Sequence, residues 1–478
     1  MRIVDPLDEV AGALDPLTAV YEAAGPYLAR LDDLPVLDNT ALPQLDELDG
    51  PLPEAGLGGS VTTERLVRIG IAAATQSSGP HFYHFVIGGS TPAAMAGDWL
   101  TSLLDQNAAM RASSEFANRV ETVAIRWLIE LLDLPPSWGG ALVGSATFGN
   151  FTGLACAAHW WGEQHGVDIT AQGLSGLPRM PVLSSGYVHA SARKALQMLG
   201  HGKDTVEVCA ADPVGRVDLA AMEARLAALG QPAVIIGNAG EVNAGDFDPI
   251  DALADLAERY GAWLHVDGAF GAFAACSPRS AHLVRGMERA QSIAADAHKW
   301  LNVPYESGFA LLSDPTRLAR AFGMPGAPYL PDASSPAGGY MMFGPESSRR
   351  ARAIPIWATL SAYGRDGYRA LVERHLDLAA ELARLVDEAP DLERLAEVPL
   401  CIVCFRLAPE GVPADELDDL NRRLGAALLA DGRVFAGTTI YAGQVALRPA
   451  MTNWRITARD VHQFVDVVRE IGARVSQS

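Results

Sequence analysis

Residues 233–270, AVIIGNAGEVNAGDFDPIDALADLAERYGAWLHVDGAF, contain the pattern that decides the fold. Two short apolar runs, AVIIGNAG and AWLHVDGAF, predict strands. Between them, IDALADLAERYG places apolar residues at helical spacing and ends in a glycine, as helix C termini commonly do. A strand, a helix and a second strand in this order predict two parallel strands of one sheet.

The same alternation extends from about residue 140 to 315. MPVLSS, TVEVCA and SGFALLS predict further strands, and ASARKALQMLG and LAAMEARLAALG predict helices. We therefore expect an α/β fold, with a mostly parallel sheet in a large domain and a smaller C-terminal α+β domain. The expected divisions are an N-terminal helical extension at 1–60, the large domain at 61–364 and the small domain at 365–478.

Charge and composition exclude several classes of function. The 478 residues carry a formal net charge of −20, which argues against binding to nucleic acid or to an anionic membrane surface. The N terminus lacks the basic and then apolar segments of a signal peptide, and no apolar run is long enough to span a membrane. The five cysteines are sparse and fit a reducing cytoplasm. Cys401 and Cys404 lie in an apolar run, PLCIVCFRL, so we interpret them as buried thiols and expect no metal site.

Three features fall where predicted strands end. Ala146 and Thr147 belong to a small-residue turn before a helix, which is a potential anion site. Asp267 ends an apolar strand, and an acid there needs a partner. Lys299 follows the strand-like QSIAADA, next to His298, and a desolvated lysine can form imines. Each feature alone has an ordinary explanation: close helix packing, a helix cap or a surface lysine.

Together, however, the three features are the parts needed to hold pyridoxal phosphate. The turn binds the phosphate, the acid keeps the pyridine nitrogen protonated, and the lysine forms the imine. WLHVDGAF followed by DAHKWLNVPYESG resembles the group II pyridoxal-phosphate-dependent amino-acid decarboxylases of the fold type I superfamily. This family includes the aromatic-L-amino-acid, glutamate, histidine and diaminobutyrate decarboxylases. The resemblance runs from about residue 60 to the C terminus, and it implies that residues 61–364 form the cofactor-binding domain.

The resemblance assigns a role to each matching residue. Lys299 matches the Schiff-base lysine, and Asp267 matches the partner of the pyridine nitrogen. His189, in SSGYVHASARKAL, matches the histidine that stacks on the ring and helps to orient the substrate. The other matches are Ala146 and Thr147 in the phosphate turn, Ala269 near the ring, His298 by the phosphate, and Asn243 in a loop that supports Asp267 or the phosphate.

The resemblance also bears on reaction type and substrate. Tyr340, nine residues before Arg349, matches the family's catalytic tyrosine, which protonates the carbanion carbon after CO2 leaves. Aldehyde synthases of the family usually have phenylalanine there, so a tyrosine favours simple decarboxylation. The segment DQNAAMRASSEF matches the region that lines the neighbouring subunit's pocket in the family. Its Asn107 and Ala109 stand where aromatic decarboxylases carry larger apolar residues, which implies a roomier or more polar pocket. Glu241 replaces a frequent threonine.

The sequence therefore predicts decarboxylation of an L-amino acid to an amine and CO2, with an aromatic substrate as the default. The resemblance further implies a homodimer, in which we expect residues 1–60 to pack on the partner subunit, and the sparse cysteines indicate a cytoplasmic protein. We expect neither nucleic acid nor a membrane as a partner. Three alternatives stay open: an aldehyde synthase that uses oxygen, an aminotransferase or carbon–carbon lyase, and a cofactor-binding protein without turnover.

Overall fold

The computed structural model describes residues 5–323 and 339–477. Within these ranges the α-helices are α1 (Asp15–Arg30), α2 (Gly59–Ala73), α3 (Pro92–Leu104), α4 (Glu115–Leu131), α5 (Ala146–Gln164), α6 (Ile169–Gln172), α7 (Ala190–Met198), α8 (Leu219–Leu229), α9 (Ile250–Tyr260), α10 (Thr316–Phe322), α11 (Ala353–Glu388), α12 (Leu417–Asp431) and α13 (Ala458–Ser476). The strands are β1 (Gly139–Val143), β2 (Val182–Ser184), β3 (Val206–Val208), β4 (Val234–Asn238), β5 (Trp263–Asp267), β6 (Ser292–Asp296), β7 (Gly308–Leu312), β8 (Leu392–Arg394), β9 (Phe405–Leu407), β10 (Thr438–Tyr441) and β11 (Gln444–Leu447).

A seven-stranded sheet in the order β1-β7-β6-β5-β4-β2-β3 forms the centre of the large domain. The pairs β2–β3, β2–β4, β4–β5 and β5–β6 are parallel, whereas β7 runs antiparallel to both of its neighbours. All residues of β4, β5, β6 and β7 are buried, because helices cover both faces of the sheet. The α/β fold with a mostly parallel sheet is confirmed.

A second, four-stranded sheet in the order β10-β11-β9-β8 belongs to the C-terminal part of the chain. Its pairs are antiparallel, and helices α12 and α13 pack on it. The apolar run around Cys401 and Cys404 forms a strand only at Phe405–Leu407, and both thiols are buried. This arrangement confirms the smaller α+β unit.

The predicted domain boundary at 364/365 coincides with a break in α11. Gly364 has φ 60° and ψ −172°, so two helical segments meet there. A positive φ of this kind favours glycine, which carries no Cβ. The three-part division stays a prediction. Among the described residues, no helix combines the length and apolar character that crossing a bilayer requires.

Candidate active site

The candidate site lies at the edge of the large sheet where β1, β5 and β6 end. β5 ends at Asp267 and β6 at Asp296, and the pairing of Asp267 with Ala294 brings these ends side by side. The reversed strand β7 begins at the same edge, where Gly308 pairs with both Val143 and Asp296. Side chains that follow these strands are therefore gathered together, as ligand-binding residues of α/β sheets generally are.

Lys299 lies in the turn after β6 and is bound to the carboxylate that ends this strand. Its Nζ is 3.1 Å from Asp296 Oδ2. Asp296 is 4% exposed; its Oδ1 accepts the backbone N–H of Ala146 and lies 3.3 Å from His298 Nε2. A carboxylate this deeply buried needs such partners, because an unpaired buried charge is costly. The structure thus brings three predicted residues together around one carboxylate that the sequence analysis did not single out.

His298 is held in one orientation by its neighbours. Its Nδ1 accepts the backbone N–H of Ser307 at 3.1 Å, and its ring stacks on Tyr305 with centroids 4.2 Å apart. Burial lowers the pKa of His298, although the Asp296 carboxylate opposes this shift. The imidazole is therefore neutral at pH 7, with its proton on Nε2, facing Asp296.

Asp267, the predicted partner of the pyridine nitrogen, is 5% exposed. Its Oδ2 accepts a hydrogen bond from Asn150 Nδ2 at 2.8 Å, and its Oδ1 accepts the Ala269 N–H at 3.3 Å. Ala269 is thus beside Asp267, and its expected place near the ring stays a prediction. Asn150, which lies one turn after Ala146 in α5, was not predicted as a site residue. A usable signal existed, because Asn150 is a polar residue in a helix segment otherwise made of small and apolar side chains.

His189 caps the N terminus of α7. Its Nδ1 accepts hydrogen bonds from the backbone N–H of Ser191 at 3.2 Å and from the Ser191 hydroxyl at 2.7 Å. His189 is exposed, yet partial burial lowers the pKa of its imidazole, with Asp267 opposing this shift. A neutral, accessible imidazole suits stacking on an aromatic ring.

The predicted phosphate turn begins helix α5. Ser145 is the N-cap residue, Ala146 is the first residue of the helix, and Thr147 is half-buried. The backbone N–H groups of a helix N terminus favour an anion. The Asp296 carboxylate already occupies one of these donors, which shows that the turn accepts a negative group.

Tyr340 is not brought into contact with Lys299 in this chain. Its hydroxyl donates to Thr122 Oγ1 on α4 at 3.1 Å, and the Arg349 guanidinium lies 5.6 Å from its ring centroid. The next residue, Met341, donates its N–H to Ala109 O at 2.9 Å. Tyr340 therefore packs on the segment that the family resemblance assigns to the neighbouring subunit's pocket.

Two other expectations are changed by the geometry. Asn243 does not contact Asp267; its Nδ2 donates to Glu241 Oε1 at 2.6 Å, and its Oδ1 accepts from Thr439. Asn107 was expected to make the pocket more polar. Its Oδ1 instead accepts two backbone N–H groups, from residues 109 and 349 at 3.0 and 3.1 Å, so the side chain is used to hold the local backbone.

Comparison with known proteins identifies the family. A family model described as the pyridoxal-dependent decarboxylase conserved domain matches residues 63–408. The chain belongs to this family. The decarboxylase is 27% identical over 441 residues to the aromatic-L-amino-acid decarboxylase of Bacillus atrophaeus, covering 91% of this chain and 89% of that protein. It is 32% identical over 445 residues to the L-2,4-diaminobutyrate decarboxylase of Rhizobium meliloti (strain 1021), covering 89% and 84%.

A solved structure shows that the fold is shared over the whole chain. The crystal structure of Oryza sativa TDC with PLP and tryptamine matches this decarboxylase with a TM-score of 0.88 at 24% identity, covering 98% of this chain and 99% of that one. The protein is therefore a pyridoxal-phosphate-dependent amino-acid decarboxylase, and pyridoxal phosphate is its cofactor.

The residues at the strand edge fit this cofactor. Lys299 offers an amine and Asp267 a carboxylate, and the N terminus of α5 offers amide donors for a phosphate. Ser307 adds a further group. Its Oγ is buried beside β7 and has no hydrogen-bond partner among the described residues. An unpaired buried hydroxyl of this kind is expected where a polar ligand binds.

Proposed function

We propose that this decarboxylase converts an aromatic L-amino acid to the corresponding amine and CO2. The observation that carries the proposal is the convergence of Lys299, Asp267 and the N terminus of α5 at one sheet edge. The likeness to an aromatic-L-amino-acid decarboxylase over most of both chains supports the aromatic substrate.

Bound pyridoxal phosphate supplies an electron sink for the bond to the departing carboxylate. Lys299 would hold the cofactor through its Nζ. Asp267 keeps a proton on the pyridine nitrogen, because its carboxylate is an acceptor at the end of β5. His189 packs its exposed face on the ring and orients the substrate. The turn at Ala146 and Thr147 would hold the phosphate, with His298 beside it, and Ala269 would lie near the ring.

We propose Tyr340 as the proton donor, acting in the site of the partner subunit. Burial and the nearby Glu121 carboxylate raise the pKa of Tyr340 to about 12, which keeps the phenol protonated. Its packing on the segment around Ala109 supports a role in the neighbouring pocket. Asn243 would support the site indirectly, because it is bound to Glu241. The Oε2 of Glu241 accepts two backbone N–H groups at 2.8 Å and so holds this loop.

The donor proposal has one competitor in the sequence. Between β7 and α11 the chain contains two tyrosines, Tyr340 and Tyr329, and Tyr329 lies outside the described residues. Tyr340→Phe and Tyr329→Phe should be compared for CO2, amine, aldehyde and peroxide production. The proposal is supported if Tyr340→Phe produces aldehyde and peroxide instead of amine while Tyr329→Phe still produces amine. The same change in Tyr329→Phe alone would transfer the donor role to residue 329.

The substrate is tested by turnover of the holoenzyme on a panel of L-amino acids, with and without oxygen. An aromatic amine in equal amount to CO2, with no need of oxygen, is the expected result. Release of aldehyde and peroxide would instead make the protein an aldehyde synthase. Turnover without CO2 would indicate transamination or carbon–carbon lyase chemistry.

A second substrate class is favoured by a specific observation. The L-2,4-diaminobutyrate decarboxylase from Rhizobium meliloti (strain 1021) is 32% identical, and this chain has Glu241 beside the site, where the family often has threonine. Glu241 is 6% exposed, and burial raises its pKa. Diaminobutyrate belongs in the panel, with Glu241→Thr as the matched variant. A preference for diaminobutyrate that Glu241→Thr removes would replace the aromatic assignment.

We propose that the enzyme is a homodimer in the cytoplasm, where its five buried thiols stay reduced. Helix α1 buries none of its residues and exposes apolar side chains, with Leu14 beside it 71% exposed, Leu17 53% and Tyr21 71%. An apolar surface of this kind indicates a partner. Light scattering should give a mass in solution of twice the chain mass. The double variant with Leu14→Glu and Leu17→Glu should give a lower mass. The control is Leu429→Glu, at an exposed leucine on α12. A monomeric wild type would contradict the proposal.

A further inference from the structure

A chain of buried hydrogen bonds runs from the interior of the sheet to the candidate active site. Trp263 Nε1 donates to Ser292 Oγ at 2.9 Å, and Ser292 Oγ is 2.8 Å from His265 Nδ1. His265 Nε2 is 2.8 Å from Asn150 Oδ1, and Asn150 Nδ2 donates to Asp267 Oδ2 at 2.8 Å. Both Asn150 and His265 are fully buried, so the chain is shielded from water along its length.

The direction of every bond in this chain is fixed by chemistry. The indole N–H of Trp263 can only donate, and the Asp267 carboxylate can only accept. The amide of Asn150 must therefore turn its NH2 toward Asp267 and its oxygen toward His265. His265 Nε2 then carries a proton. Because burial lowers the pKa of His265 to about 4, the ring is neutral and its Nδ1 accepts the Ser292 hydroxyl.

The Asn150 amide has a second branch. Its Nδ2 also donates to Ser191 Oγ at 3.0 Å, and the Ser191 hydroxyl lies 2.7 Å from His189 Nδ1. His189 Nδ1 also accepts the backbone N–H of Ser191, so this nitrogen is an acceptor and the proton of the neutral ring is on Nε2. One amide group is thus bound both to the predicted partner of the pyridine nitrogen and, through a serine, to the predicted stacking histidine.

The fold places Asn150 there for a steric reason. Helix α5 crosses the sheet close to His265, and a Cβ on Gly153 would come within 2.8 Å of the His265 ring. The glycine lets the helix approach until Asn150, one turn earlier, reaches His265 and Asp267. The same helix begins at Ala146, so its N terminus and the Asn150 amide move as one rigid unit relative to the site.

We propose that Asn150 is a positioning residue that fixes the acceptor orientation of Asp267 and the tautomer of His189 together, with His265 as its anchor. The proposal rests on the roles proposed above for Asp267 and His189. Asn150 itself touches neither substrate nor cofactor in this assignment. Its hydrogen bond to Oδ2 fixes the orientation of the Asp267 carboxylate, which would accept from the pyridine nitrogen.

The test is titration of the apoprotein with pyridoxal phosphate and with the analogue that has carbon in place of the pyridine nitrogen. Asn150→Ala should weaken binding of pyridoxal phosphate about tenfold, as expected for one lost hydrogen bond to a charged group. Binding of the analogue should change by less than about threefold, because it has no group for Asp267 to pair with. The matched control is Asn421→Ala, another fully buried asparagine, which bonds the backbone of Leu407 in the small domain.

Asp267→Ala and the double variant separate this inference from the proposed function. Asp267→Ala should lose the preference for pyridoxal phosphate over the analogue, and adding Asn150→Ala should cause no further loss. If Asp267→Ala keeps the preference, the role of Asp267 is wrong. A different outcome is that Asp267→Ala loses this preference while Asn150→Ala binds both ligands as tightly as the control Asn421→Ala does. That result would overturn the positioning role of Asn150.

A further variant protects the test against simple loss of folding. Asn150→Leu keeps the approximate size of the side chain but can donate neither to Asp267 nor to Ser191, so a role in packing alone predicts wild-type behaviour. We expect weaker binding of pyridoxal phosphate and a kcat lowered at least tenfold, since the electron sink is weakened. Wild-type binding and kcat in Asn150→Leu would refute the proposal.

Discussion

Gly88→Ala is predicted to displace the lysine that holds the cofactor, although residue 88 carries no functional group. Gly88 belongs to the loop between α2 and α3 and packs its backbone against the turn that follows β6. A Cβ at this position would overlap the carbonyl oxygen of Lys299 and come within 2.9 Å of its carbonyl carbon and 3.1 Å of His298 O. These are backbone atoms, so no side-chain rotation relieves the clash.

The turn also has little freedom to yield. Asn302 Oδ1 accepts the N–H groups of Gly89 at 2.8 Å and Trp454 at 3.0 Å, and its Nδ2 donates to Trp300 O and Thr452 O. Overpacking of this kind typically costs about 1–3 kcal/mol of stability. A shift of about 1 Å in a catalytic group costs on the order of 100-fold in rate. We therefore expect kcat/KM to fall about 100-fold in Gly88→Ala.

The measurement is kcat/KM of the cofactor-loaded enzyme together with thermal unfolding of the apoprotein. Gly70→Ala is the control, because Gly70 is exposed within α2 and a Cβ there meets no atom within 4 Å. That change should leave activity intact and stabilise the helix by about 0.5–1 kcal/mol. If Gly88→Ala matches Gly70→Ala in both rate and stability, the loop does not constrain Lys299 and the reasoning fails.

Three further changes test the electrostatics of the core and the site. Glu121→Ala should cost about 3–5 kcal/mol in denaturant unfolding, because it leaves Arg349 buried without the carboxylate that lies 2.6 Å away; a cost below about 1 kcal/mol would contradict this. Asp296→Asn should tighten pyridoxal-phosphate binding to the apoprotein about fivefold by removing a negative charge from the phosphate turn, and weaker binding would mean that the charge is needed. Burial lowers the pKa of His265 to about 4 and that of His375 to about 3. The unfolded chain therefore binds more protons than the folded chain below about pH 6.5. Each of these two histidines should lower the free energy of unfolding by about 2 kcal/mol by pH 5. Urea unfolding from pH 7 to 5 measures the loss, and His375→Asn should make it smaller by about 2 kcal/mol.

The sheet and the main residues at its edge could be predicted because their sequence signals are local. Buried parallel strands are short apolar runs, and β2, β3, β4, β5 and β7 were all predicted this way. Asp267 and Lys299 stood out because a charged group directly after such a run needs an explanation. β1 was not predicted as a strand, since its sequence GGALV begins with two glycines, which weaken a strand signal.

The rest of the site depends on register between distant segments. Asn150 reaches Asp267 across 117 positions and Ser191 across 41, and no local pattern specifies either contact. The same limit explains Asn107 and Asn243. Each of these side chains is bound to a group that only the folded chain brings close.

The two carboxylates at the edge also show why position alone does not define a role. Asp267 and Asp296 end neighbouring strands, yet Asp267 accepts from the neutral amides of Asn150 and Ala269, whereas Asp296 is bound to Lys299. An ionised carboxylate with neutral donors keeps its negative charge available for a cationic ring nitrogen. A carboxylate paired with an ammonium group has its charge already compensated. This difference supports the proposed pairing of Asp267 with the cofactor ring and of Asp296 with Lys299, and opposite effects on cofactor affinity are expected for Asp267→Ala and Asp296→Asn.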